Sequence, residues 1–224
     1  MRKIEKTIYN FDELEKDIQE KLIEERKERE YQSYIDFDFR YDMKAKAQEL
    51  VDDYFGSGAD FIQTYYSLSY SQGDGAMIEF DIDIKDLNNK YKVFTDDEIE
   101  FLKQKDIINT IRVRHYGNMY YHEYTFGIDH NYYNDWEFED IKEDFNITES
   151  GFNTLWDRFD KLTDDSNKHY TDSEFIKDII NMNKELTKYG YDLVDSDKYY
   201  YDMSCILETL RENEYYKDGE VYYE

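Results

Sequence analysis

Apolar positions recur along this chain with two different periods, and the places where the period changes predict its elements. Over 12–30, Leu14, Ile18, Leu22 and Ile23 return at helical spacing, Asp12 is placed to cap the start, and Glu, Lys and Arg fill most other positions. Those charges stand at i, i+4 separations, so the outward face is expected to be salt-bridged and wet. A second helix is expected over 38–55, with Phe39, Met43, Ala47, Leu50 and Phe55 in register and Gly56 and Gly58 to end it. The period then shortens to two. Residues 61–70 are rich in aromatic and β-branched side chains, and 71–75 (Ser-Gln-Gly-Asp-Gly) form a turn. Residues 76–84 then alternate apolar side chains with Glu79, Asp81 and Asp83, which predicts a half-buried strand pairing back as a hairpin.

A short helix over 96–104, started by Thr95 or Asp96, leads to a second expected hairpin over 108–128. With Gly117-Asn118 as its two-residue loop, Val113 would face His122 and Arg112 would face Glu123. Helical periods return after 135, with an acidic segment over 135–145 and helices near 148–164, 171–189 and 196–214. Thr171-Asp172-Ser173-Glu174 reads as a capping box, Gly190 as a stop and 221–223 as a short edge strand. The fold class is therefore α+β, an antiparallel sheet of two hairpins covered by helices, with a mostly helical, acidic C-terminal half. Leu14, Ile18, Leu22, Met43, Leu50, Ile78, Phe80, Ile111 and Val113 are its expected core. Residues 1–134 would hold the sheet, and 135–224 an acidic helical region packed on it, in one compact domain.

Charge changes that picture most. The chain has 224 residues, of which 54 are acidic and 28 basic, giving −26. The excess is uneven: 111–134 hold two bases and two acids, whereas 135–224 hold ten bases and 25 acids. Such a polyanion repels duplex nucleic acid and anionic membrane surfaces, since both attract proteins through Lys and Arg. Aromatic residues make up 18% of the chain, which separates it from disordered acidic chains. There is no proline, where average usage would give roughly eleven, so chain breaks fall to nine Gly and to Asn and Asp. No stretch has the apolar length of a spanning helix, the first residues lack a signal-peptide pattern, and the single Cys205 fits a reducing compartment. A cytoplasmic location is expected.

The chemistry-bearing residues form no catalytic constellation. His115 and His122 would share one face of the second hairpin, near Asp129 and His130, but no His-Glu-x-x-His or Cys-x-x-Cys supports a zinc site. The acidic stretches 81–86 and 129–134 lack the Gly that a calcium loop needs at its sixth position. Gly56-Ser57-Gly58 is not followed by the Lys of a phosphate loop, and Cys205, beside Ile206 and Leu207, reads as packing rather than as a nucleophile. No cofactor, catalytic metal or enzymatic activity is expected.

The segment 65–79 carries Ser71-Gln72-Gly73-Asp74-Gly75-Ala76 between an aromatic strand and an apolar one, and Tyr34-Ile35-Asp36-Phe37-Asp38 precedes it. In this it resembles a group of small acidic proteins of phages and prophages. The resemblance covers about residues 8–85, departs from the group in lacking an aromatic–Trp pair before the motif, and implies phage origin without implying an activity.

A helix that presents acids at i, i+3 and i+4 sets carboxylates about 5–6 Å apart. With one charge per roughly 1.7 Å of duplex, 26 charges correspond to about 44 Å of DNA. The densest acids are Asp135, Glu137, Glu139, Asp140, Glu143 and Asp144, followed by Asp157, Asp160, Asp164 and Asp165. These are the expected partner-binding residues of a DNA or RNA mimic that fills the basic groove of a host nuclease or defence complex, in the manner of anti-restriction and anti-CRISPR proteins. Two alternatives stay open. One is an ordinary interaction or antitoxin-like partner using exposed Tyr, with acidity serving solubility; the other is an enzyme without a recognisable motif.

Overall fold

The computed structural model describes residues 7–56, 59–69, 74–104, 108–116, 120–130, 149–195 and 202–223. In chain order its main elements are β1 (Tyr9–Asn10), α1 (Lys16–Ser33), α2 (Phe39–Phe55), β2 (Ala59–Ser67), β3 (Gly75–Asp83), α3 (Ile84–Tyr91) and α4 (Asp96–Gln104). There follow β4 (Thr110–His115), β5 (Phe126–His130), α5 (Glu149–Thr163), α6 (Glu174–Val194), α7 (Met203–Arg211) and β6 (Glu214–Tyr215). The fold is α+β with a four-stranded antiparallel sheet, as the periodicities predict.

Contacts divide the chain into two units, but not at 134/135. One comprises residues 1–40 with 193–224, and the other residues 41–192.

In the larger unit, β2, β3, β4 and β5 lie in sequence order. One sheet face carries Ile78, Phe80, Ile82, Ile111, Val113 and Phe126, all buried. Helix α2 brings Phe55 to Phe80, with ring centroids 5.4 Å apart, and Phe175 of α6 meets the same Phe55 at 5.8 Å. Pairing of β3 with β4 covers only 80–83, so the upper part of β3 needs other acceptors. Helix α6 supplies them: Ile78 N–H donates to Asn183 Oδ1 at 2.9 Å and Ala76 N–H to Thr187 Oγ1 at 2.8 Å.

Several expectations need correction. The second hairpin is out of register by six residues: Val113 faces Ile128 and Arg112 faces Asp129. A turn over 122–125, closed by Thr125 Oγ1 and His122, holds the chain away from the ladder, so the connection is far longer than two residues. Residues 85–91, expected as no element, form α3, capped by Asp83 accepting from Lys85 N–H. Gly190 does not stop α6 but lies inside it, where Leu68 and Met43 pack too closely for a Cβ. Helix α6 starts at Glu174 because Ser173 Oγ accepts from Ile176 N–H. Cys205 is exposed in the first turn of α7 rather than packed.

In the smaller unit, Asn10 and Glu13 cap a short turn in place of Asp12, and α1 begins at Lys16. Asp12 is instead clasped by Arg211, with Nε 3.0 Å from Oδ2. Phe11, Leu14, Ile206, Leu210 and Tyr215 form the core here, against which Ile18 and Leu22 are half-buried. β1 pairs with β6, and Val221 bridges to Tyr215.

Candidate acidic interface

Helix α5 is built from two opposed stripes. Phe152, Leu155, Phe159 and Leu162 are buried, and Trp156 stands edge-on to Phe152 and Phe159. That spacing turns positions 157, 160 and 164 outward. Asp157, Asp160 and Asp164 are all exposed, at i, i+3 and i+7, so their carboxylates follow one another along a single line. Over seven residues the line is about 10 Å long. Among the described residues neither Asp157 nor Asp160 has a cation at ion-pair distance. Asp164 accepts hydrogen bonds from Ser166, which hold its pKa below the ordinary carboxylate range.

Of the two bases on this helix, Lys161 is exposed on the same face, outside ion-pair distance of Asp157 and Asp164, and the other is used elsewhere. Arg158 turns away to pair with Glu98 of α4, donates to Val93 O at 2.8 Å and stacks its guanidinium 5.7 Å from the Phe94 ring. Burial alone would push the Glu98 pKa up, but hydrogen bonds from Arg158 and Thr95 outweigh it and lower the value. The pair therefore joins α5 to the start of α4. There Thr95 and Glu98 form a reciprocal cap and Asp96, Asp97 and Glu100 are exposed. Acids in a first helical turn are favoured by the helix dipole, which accounts for their density. Asp96, Asp97 and Glu100 are not among the expected partner-binding residues, and Asp96 is expected only as an alternative helix start. The Arg158–Glu98 pair, which spans 60 residues, and the contacts of Val93 and Phe94 with α5 bring them beside it.

Asp165 does not belong to the line. It is half-buried, accepts from Ile128 N–H on the outer edge of β5 at 3.1 Å and pairs with Lys168 at 3.5 Å. Its role is to cover an unpaired strand edge. Asp135, Glu137, Glu139, Asp140, Glu143 and Asp144 lie outside the described residues.

The opposite face of the sheet is also polar. Glu79, expected to be exposed by alternation, is buried, with Arg114 Nε at 3.4 Å and His115 N–H at 3.3 Å. Arg114 also pairs with Asp81, and Lys103 pairs with Asp83 at 2.6 Å. Tyr65, whose hydroxyl bonds Glu79, stacks on His115 at 5.0 Å and on Tyr121 at 5.8 Å. His115 is thus an aromatic packing partner. Among the described residues no group of three or more His, Cys, Asp or Glu is arranged to hold a metal ion.

The motif residue Asp74 accepts from Ser67 Oγ, Ser69 N–H and Ser69 Oγ, all within 2.8 Å. Next to it, Gly75 leaves room for the backbone of Tyr121 and His122, which a Cβ would strike. Both residues build the connection between β2 and β3. Among the described residues no helix is long and apolar enough to cross a membrane. Comparison with protein-family models, with curated proteins and with solved structures finds no match for the chain.

Proposed function

We propose that this chain is a phage-encoded acidic inhibitor that acts in the host cytoplasm. It occupies the basic groove of a nucleic-acid-binding host protein, such as a restriction or CRISPR nuclease, as DNA or RNA would. The observation that carries the proposal is the line Asp157, Asp160 and Asp164, three exposed carboxylates on a helix face that holds one base, Lys161, while Arg158 is turned inward to Glu98. Carboxylates held in a row meet the same Lys and Arg side chains that a phosphate backbone meets, with the same release of counterions. The surplus of acids over 135–144 adds to that charge.

The test uses host proteins retained on a duplex-DNA column. The inhibitor should release a subset of them, and release should fall steeply between about 50 and 200 mM salt, as charge neutralisation requires. The triple variant Asp157→Asn, Asp160→Asn, Asp164→Asn should release less while staying folded. Release that ignores both salt and the triple substitution overturns the proposal. It would favour instead an interface built on exposed tyrosines, of which Tyr41, Tyr116, Tyr120 and Tyr170 are available.

A further inference from the structure

The smaller unit holds a cavity of about 640 Å³, within the size range of small-molecule sites, and a face of α1 forms one wall of it. Ile18, Leu22, Arg26 and Arg29 follow one another along that face, about 16 Å from first to last. Opposite them stand Leu210 of α7, Tyr215 of β6 and Val221. The two ends of the cavity differ. At the Ile18 end the turn 217–220, closed by Tyr216 N–H donating to Glu220 O at 2.8 Å, presses onto the helix. There Gly219, at a φ of 88°, has no room for a Cβ, which would stand 2.9 Å from Ile18 Cγ2. Leu22, Leu210, Tyr215 and Val221 give this end an apolar lining.

The other end is cationic. Three bases and three acids line the cavity, but they do not cancel where they stand. Lys21 and Glu25 answer each other at 3.7 Å. Asp218 and Glu220 belong to the turn at the Ile18 end, more than about 10 Å along the helix from Arg29. Arg26 pairs with Glu30 through one terminal nitrogen, and its Nε is buried with no hydrogen-bond acceptor. Arg29 is exposed, and among the described residues no acid lies at ion-pair distance from it. In a chain of 54 acids and 28 bases, two neighbouring guanidinium groups with unmade bonds stand out.

We infer that this cavity binds an amphipathic anion, a single aliphatic chain lying over Leu22, Leu210 and Val221 with its carboxylate or phosphate head held by Arg26 and Arg29. Buried donors without acceptors are rare in native structures, and a planar guanidinium matches two oxygens of such a head. The charge of the whole chain does not forbid it. At ordinary salt, charges beyond about 8–10 Å are screened, so the two guanidinium groups set the field that one small head meets. An anionic membrane surface would instead face the full −26, which makes a free molecule the source of the ligand. The site shares no residue with the acidic interface and stands whether or not the mimic reading does.

The probes are decanoate, decyl phosphate, decanol and decyltrimethylammonium, each titrated into the full chain below its micelle concentration and followed by calorimetry. The two anions should bind once per chain, and the tighter of them identifies the head. Decanol should bind about tenfold more weakly, as loss of a hydrogen bond to a charged group requires, and the cation should not bind. Arg29→Gln, at an exposed and unpaired position, should bring both anions down to the level of decanol and leave decanol unchanged. Val221→Ser should weaken the anions and decanol alike. Decanol binding as tightly as the anions, or anion binding that survives Arg29→Gln, overturns the inference. So does the absence of saturable binding by either anion, or decanol binding that ignores Val221→Ser.

Discussion

The two units carry almost the same density of charge and are built on opposite terms. Residues 1–40 with 193–224 have a net charge of −9 over 72 residues, and residues 41–192 have −17 over 152. Helix α6 in the larger unit buries eight of its 21 residues, whereas α1 in the smaller one buries none of its 18. Helix α1 lays Ile18 and Leu22 half-buried on the small core and is otherwise held by its own charges, with Lys21 near Glu25, Arg26 paired with Glu30 and Lys27 with Glu24. Each such pair contributes only ~0.2–0.5 kcal/mol and is screened by salt. High acidity is therefore compatible both with a deep core and with almost none. What separates the units is how many helix faces are apolar enough to be buried.

The largest expected effect on this contrast is in the sheet. Phe80→Ala removes a fully buried ring packed on Phe55 and should cost about 3–5 kcal/mol in denaturant titration, against ~2–3 kcal/mol for Leu210→Ala in the thinner core. Equal costs would show that the smaller unit is packed as deeply as the larger.

Alkaline pH should act next, and mainly on the larger unit. Burial and the neighbouring Glu185 push Tyr54 up to about 12, and burial and Asp178 push Tyr91 up as well. In the unfolded chain these hydroxyls lose their protons near the ordinary value of 10. Stability is therefore fully present below pH 10 and is lost as pH rises from there towards 12. Tyrosinate absorbance followed against pH should rise together with loss of helical signal; a rise with no unfolding would sink the expectation. In the smaller unit, Tyr215→Phe deletes a hydroxyl that donates to Leu210 O at 2.8 Å, and should cost about 1 kcal/mol.

The smallest effect sharpens the comparison most. In hydrogen exchange the amides of α1 should open well before those of α6, and added salt should widen the gap by screening the ion pairs of α1. Protection of α1 equal to that of α6 would mean that the half-buried contacts of Ile18 and Leu22, rather than its charges, hold it.

Local pattern was legible in the sequence, and long-range pairing was not. The alternation over 78–82 sends Ile78, Phe80 and Ile82 inward, and the spacing of Phe39, Met43, Ala47, Leu50 and Phe55 gives the buried face of α2. Asp157, Asp160 and Asp164 lie together because one helix period places them so. Glu79 was misread because its burial depends on Arg114, 35 residues away, and Asp165 because its partner is a backbone N–H on β5. Gly117-Asn118 has the composition of a tight turn. The hydrogen bonds of Thr125 and the need to bury Phe126 beyond it set the register instead. Nothing in either half of the smaller unit signals the other, since the β1–β6 pairing joins residues about two hundred positions apart.

That pairing has a consequence in time. The larger unit is contiguous and can fold as soon as it leaves the ribosome, but α1 is made first and finds its partners in the last residues described. At roughly 5–20 residues per second, α1 waits on the order of ten to forty seconds for α7 and β6. A helix with a broad apolar face would spend that interval exposed to chaperones and to other nascent chains. One covered in alternating charge can wait in water, so the polarity that makes α1 a weak element once folded makes it a safe one while the chain is being made.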